Sequence, residues 1–277
     1  MHALRRLAFV CCVGVPAVFA FSGAAVADGY DYGAPPASAD ERTFTYSLNI
    51  GGASDYVFRG VSQSSNDPVP QGGADAAYGI LYGGVWASGI DFDNAPPANA
   101  EVDWYGGIKP TWSSPFGIVN FDFGGIYYSY PAADPFPGAD LNYFELKAGY
   151  SWSSLHPSLV TGTTVFYSPD YFAETGPVWT IESFAVWMLP KAGFLSPAIN
   201  GLVGWQKGDA AEGYWVNVNM TDDEYYYWNA GLVLGADNIS FDFRYWDTNI
   251  GGDAANVCAS PGLCSDRFVV SVKVVVP

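Results

Sequence analysis

From residue 43 onward the chain repeats stretches of about ten residues in which apolar and polar side chains alternate, as in β-strands whose two faces meet different surroundings. In the first stretch, Phe44 and Tyr46 alternate with Thr45 and Ser47. Long polar connections and very short turns separate these stretches in strict alternation. The long connections fall near residues 62–71, 93–100, 131–140, 169–177, 208–222 and 249–265, and the short turns near residues 78–80, 113–116, 153–157, 190–195 and 236–238. Six long and five short connections predict twelve strands.

Strict alternation places every long loop at one end of the structure, and every short turn and both termini at the other. That asymmetry is typical of an outer-membrane β-barrel. Backbone N–H and C=O groups cannot stay unpaired in lipid, so the sheet must close on itself. The sequence therefore predicts an all-β fold, an antiparallel up-and-down transmembrane β-barrel of twelve strands. Ten or fourteen strands are the alternatives if the turn at Tyr78-Gly79 or the connection at 208–222 is assigned differently.

Aromatic residues recur next to the connections, as expected where Trp and Tyr collect at the two lipid–water boundaries. Beside the long loops stand Tyr56, Phe58, Trp104, Tyr105, Tyr127 to Tyr130, Tyr143, Phe144, Trp205, Tyr225 to Trp228, Tyr245 and Trp246; beside the short turns stand Trp112, Tyr150, Trp152 and Trp187. This distribution predicts two aromatic girdles. The alternative is aromatic core packing in a secreted β-sandwich or a soluble barrel.

The N-terminal segment has the features of an export signal. Arg5 and Arg6 precede an apolar run over residues 7–21, and Ala25 and Ala27 fit a small-x-small cleavage site. We expect a signal peptide over residues 1–27, a flexible periplasmic segment over residues 28–42 and the outer-membrane barrel over residues 43–277.

Composition supports export and excludes some partners. The formal net charge of −17 at pH 7 disfavours nucleic acid. Charged residues make up 14% of the chain and aromatic residues 17%, a balance that indicates an apolar outer surface. Beyond the predicted signal the only cysteines are Cys258 and Cys264, which flank a Pro-Gly turn. An exported pair at this spacing is a disulfide candidate, with two free thiols as the alternative.

One region resembles a known family. Residues 54–63 (SDYVFRGVSQ), 70–75 (PQGGAD) and 83–88 (GGVWAS) resemble the opening of the TorF-like porin family of proteobacteria, and residues 101–107 and 143–145 are similar to later family positions. The resemblance implies a Gram-negative outer-membrane barrel with a role in transport and no defined substrate. Family members usually end in an aromatic residue that assists assembly, whereas this chain ends in Val-Pro.

The alternation also predicts which ionisable side chains line the lumen. They are Asp55, Arg59, Asp103, Lys109, Asp122, Glu145, Lys147, Glu182, Asp242, Arg244 and Lys273. Continuing the first strand puts Asp55 and Arg59 at the mouth of the pore, with Tyr56 and Phe58 pointing outward. Opposite charges on a lumen wall select solutes by field and width. The alternatives are that Arg59 pairs with a carboxylate to stiffen the rim, and that the charges plug a narrow barrel.

Two pairs of these charges are spaced i, i+2 on one face. We expect Glu145 to neutralise Lys147, and Asp242 to neutralise Arg244. Acidic residues crowd the long connections, and residues 221–224 (TDDE) could bridge a divalent cation to lipopolysaccharide phosphates. Their spacing matches no dedicated calcium loop, so we expect solvated charge and no metal site.

An embedded lipid-modifying enzyme is the rival class, and it commonly needs a Ser-His pair with an acidic orienter. The predicted mature chain has one histidine, His156, in a short turn on the periplasmic side. We therefore expect no enzymatic activity and no cofactor. The favoured function is passive passage of small neutral or cationic solutes by a barrel that meets outer-membrane lipid and lipopolysaccharide. A non-conducting structural or surface-interaction barrel stays open as an alternative, and monomer and trimer are both compatible with the sequence.

Overall fold

The computed structural model describes residues 43–92, 98–131, 133, 140–153, 156–214, 222–250, 258 and 262–276. The predicted signal peptide and periplasmic segment lie outside these residues. Within the described ranges the regular structure is β-strand, with two three-residue 3-10 turns at Phe172–Glu174 and Ala210–Glu212. No helix in this part of the chain has the length and apolarity needed to cross a membrane.

The strands follow the predicted stretches. They are β1 (Phe44–Ala53), β2 (Val57–Phe58), β3 (Val61–Ser62), β4 (Val69–Tyr78), β5 (Leu81–Gly89), β6 (Ala100–Ile108), β7 (Thr111–Ser114), β8 (Gly117–Ser129), β9 (Tyr143–Ser153), β10 (Leu159–Ser168), β11 (Val178–Met188), β12 (Ser196–Lys207), β13 (Glu224–Ala236), β14 (Ile239–Thr248) and β15 (Arg267–Val276).

Twelve strand positions close into an antiparallel barrel, as predicted. The ring runs β1, β4, β5, β6, β8 and then β9 to β15 in order, and it closes through the pairing of β15 with β1. The short strand β7 pairs with β8 in the register of β6, because Ile108 lies opposite Phe123 and Thr111 lies opposite Asn120. β6 and β7 are therefore one strand position, interrupted at Pro110, which has no N–H to donate to the ladder.

Apolar side chains face outward from the barrel and polar ones face the lumen. On β14, Phe241 is 40% exposed and Tyr245 is 41% exposed, whereas Asp242 and Arg244 between them are 3% and 4% exposed. Phe123 on β8 is likewise exposed. A soluble β-sandwich would bury these rings and expose the charges, so the arrangement fits a wall between lipid and a polar interior.

The connection between β1 and β4 turns into the barrel. Strands β2 and β3 form a tight hairpin whose turn residues, Arg59 and Gly60, both have positive φ, 48° and 83°. Such a two-residue turn matches the twist of the flanking strands. A Cβ on Gly60 would lie 2.4 Å from Thr248 Cγ2 on β14 and 2.9 Å from Tyr227 Cβ on β13, so the backbone must approach the wall there. We call residues 54–66 the lumen hairpin.

The lumen hairpin corrects the predicted facing of the residues after β1. Tyr56 and Phe58 were expected to point outward, but they are 0% and 9% exposed and lie inside the barrel. Tyr56 packs edge-on against Trp86 of β5, and Phe58 packs edge-on against Tyr128 of β8. The period-2 rule fails here because the chain leaves the barrel wall after Ala53 and both faces of the hairpin are enclosed.

The predicted aromatic girdle is present at the short-turn end of the barrel, and at the long-loop end only part of the predicted set faces outward. At the short-turn end, all four predicted rings are exposed: Trp112, Tyr150, Trp152 and Trp187. At the long-loop end, the outward set includes Trp104, Tyr127, Phe144, Tyr226, Trp228 and Tyr245, whereas Tyr128, Tyr130, Tyr143, Tyr225, Tyr227 and Trp246 are buried inside. The inward rings pack with Tyr56, Val57 and Phe58 of the lumen hairpin in two clusters. Filling the lumen thus requires aromatics that the girdle interpretation had assigned to lipid.

Candidate functional site in the barrel lumen

Arg59 joins the tip of the lumen hairpin to the far side of the ring. Its guanidinium donates two parallel hydrogen bonds to Glu145 on β9, Nη1 to Oε1 at 2.8 Å and Nη2 to Oε2 at 2.7 Å. Tyr128 donates a third hydrogen bond to this carboxylate, at 3.1 Å. The guanidinium carbon also lies 4.7 Å from the ring centre of Phe58 and 5.1 Å from that of Phe166 on β10. We call Glu145, Tyr128 and Phe166 the Arg59 cage.

Both members of this ion pair are almost completely buried, with side-chain exposures of 2% for Arg59 and 1% for Glu145. Burial by itself lowers the pKa of Arg59, but the Glu145 carboxylate outweighs burial and leaves that pKa well above its ordinary value. The Arg59 guanidinium therefore stays charged. Arg59 thus pairs with a carboxylate, the alternative that the sequence left open, and its partner Glu145 lies near the long-loop end of β9.

The base of the lumen hairpin is fastened to the C-terminal strand. Asp55 accepts from Arg267 Nη1 of β15 at 2.7 Å, and it also accepts from the hydroxyls of Ser62 at 2.6 Å and Ser64 at 2.9 Å. Tyr225 of β13 donates to the backbone carbonyl of Arg59 at 3.1 Å. The hairpin is thus tied to several parts of the wall through polar contacts.

The disulfide candidate residues lie beside the same hairpin. Cys258 and Cys264 form a disulfide with Cα atoms 5.7 Å apart. Leu263 and Cys264 pack on Val61 of β3, and the Ser62 N–H donates to the Leu263 carbonyl at 2.9 Å. The bridged loop therefore holds β3 from the long-loop side.

Opening this bridge is expected to cost stability. Replacing Cys258 and Cys264 with Ser should lower the free energy of unfolding by about 2 kcal/mol, because the bridge limits a short loop in the unfolded chain. Urea unfolding of the protein in detergent, with and without reductant, measures the change. Reductant should destabilise the parent protein and leave the double variant unchanged; equal sensitivity of both would contradict the prediction.

Carboxylates outnumber guanidinium groups where the lumen hairpin enters. Glu101 and Asp103 on β6 and Glu145 on β9 are all buried. Of these three carboxyl groups, only Glu145 forms an ion pair with an arginine within the described part of the chain. Tyr56 donates its hydroxyl to Glu101. Asp103 is 6% exposed, and its Oδ1 atom has no hydrogen-bond partner within the described part of the chain. Buried carboxyl groups therefore cluster at this level of the lumen.

A second cluster of charged residues lies in the lumen, nearer the short turns. Lys147 pairs with Asp122 at 3.0 Å, and Tyr82 donates to the same carboxylate at 2.7 Å. Lys109 lies 4.6 Å from the ring centre of Tyr82. The predicted pairing of Glu145 with Lys147 is wrong, because Glu145 is taken by Arg59 and Lys147 reaches Asp122 on the neighbouring strand.

The opposite wall contains the remaining predicted lumen residues. Asp242 pairs with Arg244 at 2.6 Å, which confirms the i, i+2 pair, and Arg244 also donates to Asn200 at 2.8 Å. Glu182 on β11 accepts the Tyr227 hydroxyl. Lys273 on β15 is half-buried and lies near enough to Asp242 to act on it electrostatically.

Sequence reasoning missed four residues that shape the lumen. Glu101 lies two residues before Asp103 on the same face of β6, so the alternation could have found it. No facing was predicted for Tyr82. Arg267 is the first residue of β15, and no lumen role was predicted for it. Asp75 accepts the hydroxyl of Tyr105, a residue that had been assigned to the lipid boundary. Tyrosine is ambiguous in such a pattern, because its ring suits lipid and its hydroxyl suits the lumen.

The acidic loop segment behaves as paired surface charge where the structure describes it. Asp223 forms an ion pair with Lys207 at 2.8 Å, and Glu224 accepts from the Trp205 indole at 3.2 Å. Thr221, which the segment also includes, lies outside the described residues. Across the described ranges, no group of three or more His, Cys, Asp or Glu side chains is arranged to hold a metal ion.

The chain is similar to known proteins in its family pattern and in its fold. The model of a family described as "Bacterial protein of unknown function (Gcw_chp)" matches residues 37–275. No curated protein sequence matches the chain. The fold is similar to that of the porin NanC, with a TM-score of 0.50 and 9% identity, over 82% of this chain and 98% of that one.

Two structures from Pseudomonas aeruginosa are more distant. OpdQ has a TM-score of 0.38 and 11% identity, over 81% of this chain and 60% of that one. OccK5 (OpdH) has a TM-score of 0.39 and 13% identity, over 84% of this chain and 67% of that one. The likeness to NanC shows that the fold is a closed β-barrel of the kind seen in that porin.

Proposed function

The chain belongs to the Gcw_chp family of bacterial proteins, and we propose that it acts in the outer membrane as a channel for passive passage of small neutral or cationic solutes. The observation that carries this proposal is the inside-out barrel, which exposes Phe241 and buries Asp242 and Arg244. A closed wall with charges inside supplies a polar path through lipid. The resemblance of residues 54–63 to TorF-like porins supports the same role.

The lumen hairpin makes this a narrow channel. Polar contacts join it to β9, β13 and β15, and aromatic contacts join it to β5, β8 and β10. Solutes must therefore pass beside the hairpin or wait until it moves. The excess of buried carboxylates around it favours cations over anions.

Electrical recording tests the proposal. In a planar bilayer with a salt gradient, the purified protein should give discrete current steps whose reversal potential has the sign of cation selectivity, because acidic groups dominate the long-loop half of the lumen. Replacing Glu101 and Asp103 with Gln and Asn should shift the reversal potential toward zero. The matched control is Asp223→Asn, an acidic residue outside the lumen that should leave it unchanged. Anion selectivity of the parent protein would contradict the proposal.

The second candidate is a barrel that does not conduct, and the same hairpin favours it, because its tip packs on β13 and β14 with no spare space at Gly60. A bilayer that stays silent in the parent protein and in a variant without the hairpin would favour this structural or surface-interaction role.

We infer no catalytic function: His156 stacks on the Trp187 ring at 4.8 Å, at the short-turn end. The membrane surroundings would be outer-membrane lipid and lipopolysaccharide.

A further inference from the structure

The Arg59 cage has the composition of a binding site for an organic cation. Glu145 offers two oxygens that match the two parallel N–H groups of a guanidinium, the geometry in which such pairs are strongest. Phe166 presents its ring face to the cation at 5.1 Å, which adds cation–π attraction in a desolvated place. Tyr128 fixes the carboxylate from the side.

Asp103 supplies a second, independent observation. Its side chain is buried, its Oδ1 atom has no hydrogen-bond partner within the described ranges, and it lies within electrostatic reach of Glu101 and Glu145. A buried carboxyl oxygen without a hydrogen-bond partner is costly, so this part of the wall can accept a hydrogen bond from a solute that enters the lumen. The described residues offer no metal-binding arrangement, and the aromatic walls suit an organic cation.

Arg59 reaches the cage as part of a tethered segment. It sits at the turn of the lumen hairpin, which is joined to the wall at Asp55 and which shares no regular ladder with the barrel strands. Its side chain therefore resembles a ligand held at high local concentration by a short linker. A free solute of the same chemistry can replace it only by competing with that local concentration.

We propose that the Arg59 cage is a binding site for solutes that carry a guanidinium or a primary ammonium group, and that Arg59 occupies it in the closed barrel. Such a solute takes the place of Arg59 on Glu145 when the hairpin leaves the cage. This inference rests on the proposed channel function, and it names the class of solute that the channel would recognise.

The test removes the tethered cation and supplies a free one. Arg59→Ala should bind ethylguanidinium at least tenfold more tightly than the parent protein in isothermal titration calorimetry, because the internal competitor is gone. Ethylurea, a neutral analogue of similar shape, should bind neither protein. Adding Glu145→Gln to Arg59→Ala should abolish ethylguanidinium binding. The matched control is Asp223→Asn, which removes an acidic group outside the lumen and should leave the cage unchanged.

Equal affinity of Arg59→Ala and the parent protein for ethylguanidinium would overturn the proposal, as would equal binding of ethylurea. If Arg59→Ala folds poorly, its folding yield, followed by the shift of the folded barrel in gel electrophoresis, should rise with ethylguanidinium and not with ethylurea. A yield that ignores ethylguanidinium would also overturn the proposal.

Current recordings keep the two proposals separate. Ethylguanidinium should reduce the current through Arg59→Ala at least threefold and leave Arg59→Ala with Glu145→Gln unaffected. If ethylguanidinium binds but neither protein conducts, the channel function is contradicted and the binding site is supported. If the proteins conduct but ethylguanidinium does not bind, the binding site is contradicted and the channel function is supported.

Discussion

Replacing residues 57–62 by Gly-Ser is expected to raise the single-channel conductance about tenfold, because this change removes the part of the lumen hairpin that crosses the barrel. The structure makes the excision feasible. The Gln63 N–H donates to the Tyr56 carbonyl at 2.7 Å, so the two cut ends are already neighbours. The Tyr56 N–H can still donate to Ser64, which preserves the base.

The matched control changes a turn that stays outside the lumen. Replacing Ala192, an exposed residue in the short turn between β11 and β12, by Ser should leave the conductance unchanged, since the change is small and far from the hairpin. Larger, noisier current steps in the hairpin variant alone would support the plug. Equal conductance in the parent protein and the hairpin variant would show that the hairpin does not limit passage.

Glu145→Gln is expected to lower the free energy of unfolding by about 3 kcal/mol, because it leaves the buried Arg59 guanidinium without its charge partner. The loss is large because both groups are removed from water, so solvent cannot compensate the orphaned charge. Urea unfolding in detergent, followed by tryptophan fluorescence, measures it. Urea is preferred to guanidinium chloride here, because guanidinium is the cation that the cage should bind.

Asp223→Asn provides the matched control for this experiment. Its carboxylate pairs with Lys207 at 2.8 Å, but both side chains are substantially exposed, so the loss should stay below about 1 kcal/mol. The double variant Arg59→Met, Glu145→Gln should be less destabilised than the sum of its single changes, since each single change orphans the other partner. Simple additivity would mean that the pair does not act as a unit.

The lumen charges show where sequence reasoning succeeds. Strand alternation predicted that Asp103, Asp122, Glu145, Glu182 and Asp242 lie on the polar face of their strands, and in the structure these side chains are buried or half-buried. It also predicted the Asp242–Arg244 pair, because residues two apart on one strand share a face. It could not predict the partner of Glu145, since that partner lies on no neighbouring strand.

The lumen hairpin shows where sequence reasoning stops. The turn at Arg59 and Gly60 carries a local signal for a tight hairpin, but nothing local says whether the hairpin points to solvent or into the barrel. Its course is decided by contacts across the whole chain: Arg59 meets a residue 86 positions away, and Asp55 meets one 212 positions away. The period-2 rule therefore misassigned Tyr56 and Phe58.

The sequence by itself determined the class of fold, the twelve strand positions, the two ends of the barrel and the facing of the ionisable side chains on the strands. Those properties follow from the two-residue period of a strand between lipid and water, which is a local regularity. Only the tertiary structure decided that the first long connection fills the lumen and that Arg59 occupies a carboxylate and aromatic cage. Such contacts depend on the closure of the ring, which brings β9 and β10 within reach of a turn that follows β1.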